Sequence, residues 1–191
     1  MKNLLIAMVL ILLPMGFAFI QEAHATTIVA LSDDELVDEA GAIVHGTIIQ
    51  TEPIQYDART ILTKVTLRVE SYLKMPEGST EEQEFVFYTR GGSIGDIVQT
   101  VSGEFRAVEG AEVIVFLEKI KKYGDLWMVL GLRTGAYWVE KTNDSDSNTE
   151  KMVRERSPMA CGPVKPQRVP LKAIRERIVR RVAMSRPGAV K

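Results

Sequence analysis

Residues 60–73 alternate cleanly: Ile61, Thr63, Val65, Leu67 and Val69 fall on one side, and Lys64, Thr66, Arg68 and Glu70 on the other. A period of two with one apolar side predicts a long strand, buried on one face and wet on the other. Shorter runs of similar character predict strands at 42–52, 84–89, 112–119, 126–130 and 136–140, with a further short one at 96–102. Gly46 lies inside the first of these, where a glycine marks a bulge or sharp bend. Pro53 opens a turn that runs to Arg59. Parallel pairs need crossovers of about a dozen residues, usually helical, and none stands between these strands. The pattern therefore predicts a mainly β chain, a small antiparallel OB-like barrel.

Two segments carry the helical period instead. Before residue 33 the sequence reads Leu31-Ser32-Asp33-Asp34-Glu35-Leu36. Ser32 and Glu35 form a capping box, and Leu31 and Leu36 take the staple positions around it. Asp33 and Asp34 favour the positive end of the helix dipole. A short helix over 33–40 follows, with Gly41 ending it in the left-handed conformation. Near the other end, Leu171, Ile174, Ile178 and Val182 make an apolar stripe among Arg175, Arg177, Arg180 and Arg181. This predicts an amphipathic basic helix over 169–186, with Pro170 tolerated in its first turn and 187–191 as a frayed tail. Between barrel and helix, 141–168 is polar and then proline-rich, and is expected to be an irregular, flexible connection.

The chain opens with Lys2, an apolar run from Leu4 to Ile20 broken by Pro14 and Gly16, and Ala23-His24-Ala25. That order is a cleavable signal peptide over 1–25. It implies export to the periplasm or beyond, and a barrel domain over 26–140. Cys161 is the only cysteine. No disulfide can form within the chain, so stability must come from burial. The net charge of −1 conceals a split: residues 151–191 carry +10 and residues 1–150 carry −11. A basic tail on an acidic body can fold back on it or meet an anionic surface. Docking of the apolar stripe is the leading expectation. Arg175, Arg177, Arg180 and Arg181 are the candidates for peripheral contact with an anionic surface such as lipid or polysaccharide. Export argues against a nucleic-acid partner.

Candidate chemistry narrows quickly. Residues 90–104 read RGGSIGDIVQTVSGE. A phosphate-binding loop would need Lys after the last glycine and a helix beyond it. Here Asp96 follows Gly95, and the next residues read extended, which predicts a turn between strands. Apart from His24 in the leader, His45 is the only histidine. That leaves no evident zinc set without recruiting carboxylates, and no Ser-His or Cys-His pair. His45 is read as a sheet residue. The segment 143–148 has oxygen ligands but lacks the glycine and terminal glutamate of an EF-hand loop. No cofactor is implied. The leading expectation is a non-catalytic binding module for an unknown protein or polysaccharide, with Arg90, Gly91, Gly92, Ser93, Gly95 and Asp96 as candidate binding residues. A hydrolase using carboxylates and a structural envelope protein remain as alternatives.

The runs GAIVHGTIIQTE, TILTKVTLRVESYLK, FVFYTRGG and EVIVFLEK together resemble the netrin-like, tissue-metalloproteinase-inhibitor module. Similar arrangements also occur in secreted bacterial proteins of unassigned function. The resemblance implies a five-stranded OB-type barrel over roughly residues 31–140. The inhibitory family depends on an N-terminal cysteine and several disulfides. This chain has Thr26 at the expected mature start, so the resemblance implies the fold and not protease inhibition.

Overall fold

The computed structural model describes residues 31–141, 151–154 and 168–185. The segment 1–25 expected to be a signal peptide, the acidic segment 143–148 and Cys161 lie outside the described residues. The element order is α1 (Asp33–Glu39), β1 (Ala42–Asp57), β2 (Thr60–Lys74), β3 (Glu84–Arg90), β4 (Gly92–Ile94), β5 (Ile97–Gln99), β6 (Glu112–Ile120), β7 (Leu126–Val129), β8 (Ala136–Lys141), β9 (Lys151–Arg154), β10 (Arg168–Pro170) and α2 (Leu171–Ser185). Short 3-10 turns occupy Lys121–Tyr123 and Leu132–Gly135.

The chain is mainly β, with a short helix near its start and a basic helix near its end. The neighbours run β1-β2-β3-β7-β6, and β6 pairs back with β1. All these ladders are antiparallel except β3 with β7, a parallel contact held at Tyr88↔Met128. With so slight a closing contact, the sheet forms a partial ring rather than the closed barrel expected from the strand pattern. From β6 the sheet continues outward through β8, β9 and β10.

Two cores explain why β6 is apolar without alternation. Val113, Val115 and Leu117 point into the ring with Val44, Ile48, Val65, Leu67 and Phe87. Ile114 and Phe116 point outward, beneath Leu36 and Val37 of α1 and Ile174 and Ile178 of α2. A strand covered on both faces has no wet side to mark with polar residues.

Several boundaries moved for local reasons. β1 runs on through Pro53 to Asp57, where a turn was expected. Beyond Thr47 it pairs with β2 alone, and an edge strand tolerates proline. The capping box forms as read, with the Glu35 amide donating to Ser32 and the Ser32 amide to Glu35 Oε2. The helix ends differently. Ala40 turns to extended backbone, and Gly41 lacks the positive φ expected of it. Gly41 is small because the Trp127 ring lies 3.0 Å from where its Cβ would stand. Within the connection read as irregular, Lys151–Arg154 forms β9 against β8 and β10. Val153 there is fully buried.

The apolar stripe of α2 is covered: Leu171, Ile174, Ile178 and Val182 are all buried. Its arginines reach the acidic helix beside it. Arg181 Nε donates to Asp38 at 2.9 Å, and its Nη2 also meets Asp38. Arg177 pairs with Asp33, and Arg175 donates to Ser71. The charge split is thus partly satisfied within the fold. Hydrogen bonds from Arg181 and then Ser185 hold Asp38 down at about 2, below its ordinary 3.8. The stabilisation is full above the ordinary value and lost as pH falls through about 2. Replacing Arg181 by Gln should therefore flatten the steepest part of acid unfolding and speed amide exchange in α2. Unchanged exchange in α2 would show that the pair does not hold the helix.

Candidate functional site

The glycine-rich stretch builds a corner. β3 ends at Arg90, Gly91 and Gly92 take φ of 91° and 147°, and β4 and β5 close a small hairpin through Gly95 and Asp96. The corner is fastened to β2. The Gly91 amide donates to Ile61 O at 2.8 Å, the Ile61 amide donates to Gln99 Oε1 at 2.6 Å, and Thr63 Oγ1 donates to Gly91 O at 2.7 Å. A side chain on Gly91 would stand 2.5 Å from Gln99 O. These glycines serve strand crossing and close approach. Residues 97–99 form a strand where a phosphate loop would start its helix.

Behind this corner the chain returns through residues 100–107 and places Glu104 under Arg90. The Arg90 guanidinium donates to Glu104 Oε2 at 3.1 Å. The Glu104 side chain is only 4% exposed, whereas that of Arg90 is 27% exposed. Burial raises the Glu104 pKa, and Arg90 offsets only part of that. Its second oxygen, Oε1, is buried with no partner among the described residues. Such an atom is costly unless water or a ligand supplies a donor.

Two open grooves share Glu104 and Phe105 as a wall. One, of about 440 Å³, is lined by Thr51, Thr63, Arg90, Gly92, Ser93 and Gln99, among others. The second, of about 600 Å³, adds Arg133 and Trp138. Arg106 borders both. Trp138 packs on Phe105 with ring centroids 5.4 Å apart, and the Arg133 amide donates to Gly103 O.

Of the binding residues expected from sequence, Arg90, Gly91, Gly92 and Ser93 line this furrow, while Gly95 and Asp96 sit at the exposed hairpin tip. The sequence points to the loops around Arg90 to Glu104 without singling out Glu104, and gives no sign of Arg106, Arg133 or Trp138. A carboxylate amid Phe105 and Ala107 was the available signal. The helix arginines form no part of this furrow. Arg175, Arg177 and Arg181 contact Ser71, Asp33 and Asp38, while Arg180 is exposed.

A second polar cluster lies on β1, β2 and β6. His45 is 1% exposed, and its Nε2 is 2.9 Å from Glu112 Oε1 and 3.7 Å from Glu70 Oε2. Lys151 Nζ lies 2.9 Å from the same Glu112 oxygen. Burial works to raise the Glu112 pKa, but hydrogen bonds from Lys151 and His45 outweigh it and leave it lowered.

The class defined by these observations is a mainly β domain with a partial-ring sheet and a furrow at one corner. No protein-family model, curated protein or solved structure matches the chain.

Proposed function

We propose that this chain is an exported, non-catalytic binding module of OB type, and that its ligand lies along the furrow divided by Glu104. The observation that carries the reading is the buried Glu104 Oε1, which lacks a partner among the described residues yet belongs to a residue walling two open grooves. A ligand hydroxyl meets that need. Arg106 and Arg133 are exposed along the grooves and offer charged donors, and guanidinium groups suit carboxylates. Trp138 adds an apolar ring at one end. Hydroxyl, carboxylate and ring contacts together favour an acidic oligosaccharide over an apolar ligand. OB barrels hold oligosaccharides in general. The netrin-like resemblance supports the same reading at the level of fold, and the expected signal peptide suits an extracellular glycan.

The hydrolase reading finds less support. Glu70 and Glu112 bring carboxylate oxygens within 4.8 Å of each other. A glycosidase needs an acid of raised pKa beside a second carboxylate; the pKa of Glu112 is lowered, and Glu104, whose pKa is raised, is the only carboxylate among the described residues lining the two grooves. The envelope reading has lost its apolar stripe to the core and keeps only exposed basic residues such as Arg180.

Calorimetric titration with an oligogalacturonate tests the proposal. The mature chain should bind, and Arg106→Gln with Arg133→Gln should weaken binding at least about tenfold, the loss expected from one charge-assisted contact. Equal binding by the double variant, or no binding to any acidic oligosaccharide, would contradict it.

A further inference from the structure

His45, Glu70 and Glu112 are distant in sequence, and sheet register brings them together. On one side of β1, His45 pairs with Ile114, so Glu112, two residues along, shares its face. On the other side the register jumps from His45↔Ser71 to Gly46↔Val69, leaving Glu70 as the extra residue of a bulge. A bulge re-aims the side chain it carries. Glu70 Oε2 thereby comes within 3.7 Å of His45 Nε2. The three ligand atoms all lie within 4.8 Å of one another.

We infer that His45, Glu70 and Glu112 form a binding site for a divalent ion of the zinc class, in which the ion displaces the Lys151 ammonium. Zinc bonds to nitrogen and oxygen measure about 2.0–2.2 Å, which sets tetrahedral ligand atoms about 3.3–3.5 Å apart. The observed 2.9 and 3.7 Å bracket that spacing. Lys151 Nζ sits 2.9 Å from Glu112 and 3.8 Å from Glu70, where a cation belongs. Its side chain is 37% exposed, so it has room to leave. Glu70 is 40% exposed and also lines an open groove of about 410 Å³ with Glu81 and Glu82. That groove gives an ion an acidic approach from solvent. One imidazole and two carboxylates leave a fourth position for water.

The site is independent of the furrow, and its test needs no glycan. Chelator-stripped mature chain is titrated with Co²⁺, followed by visible absorption, and then with Zn²⁺ in competition. One equivalent should give the absorption of four-coordinate cobalt, and Zn²⁺ should bleach it. His45→Gln should abolish the signal. Glu70→Gln, at a partly exposed position, should fold normally and bind at least about tenfold more weakly, since even outer-shell losses reach that size. Lys151→Met should bind more tightly than the parent. No cobalt signal, equal binding by Glu70→Gln, or no gain from Lys151→Met would overturn the assignment.

Discussion

Arg90→Ala is expected to be one of the most damaging single substitutions, lowering stability by about 3 kcal/mol near neutral pH. Removing one member of a buried ion pair strands the other, which typically costs about 3–5 kcal/mol. Partial exposure of Arg90 places this case at the lower end. The stranded group is Glu104, whose Oε1 already lacks a partner among the described residues. Glu118 is affected too. Burial raises its pKa, and Arg90 is the cation that counters the rise. The pH dependence has a definite sign. A carboxyl raised in the folded state binds protons that the unfolded chain has released. Its penalty is therefore absent below the ordinary value of 4.5 and grows as pH rises through the folded pKa. Losing Arg90 raises that pKa further. Urea unfolding at pH 5 and pH 8 should show the variant closer to the parent at the lower pH. An equal deficit at both would show that the damage is packing alone. Glu104→Gln provides the complement. It removes the charge while keeping the shape.

Gly46→Ala should destabilise by about 3 kcal/mol or more, because overpacking against rigid backbone ranks among the large single-residue effects. An added Cβ would stand 2.2 Å from Arg68 O. That neighbour is main chain of the paired strand, so the strands themselves must part. The β1–β2 register shifts here, where β1 serves β2 on one side and β6 on the other. Gly95→Ala makes the contrast. Its φ is +56°, but nothing lies within 4 Å of the new atom, so left-handed strain of about 1 kcal/mol is the whole cost. Urea midpoints of the two variants decide it, and similar losses would contradict the close-approach account. Gly46→Ala should also disturb the bulge that presents Glu70, and hence weaken cobalt binding.

What the sequence made legible was local. The capping box from Ser32 to Glu35 spans four residues, and its bonds form within that span. The alternation of β2 and the bend at Gly46 depend on neighbours along one strand. The stripe of α2 predicts its own burial, whatever covers it. The hidden part is built by contacts across the chain. Glu104 meets Arg90 through a returning loop, and Trp138 joins the furrow from β8. His45 gains Glu70 and Glu112 through register on two ladders, which no single-strand pattern encodes. β9 was missed because a four-residue strand with Lys and Arg at its ends buries only Val153 completely. Ring closure depends on one parallel pair between β3 and β7, and a strand list cannot reveal how far a ring closes.

The furrow is the central claim, and amide chemical-shift mapping with an oligogalacturonate tests it most directly. Saturable shifts are expected, confined to residues 90–93, 99–107 and 133–138 and lost in the Arg106→Gln, Arg133→Gln double variant. Shifts that instead cluster on α2 around Arg180, or on the far end of β1 at Tyr56 and the 3-10 turn at Tyr123, would contradict it.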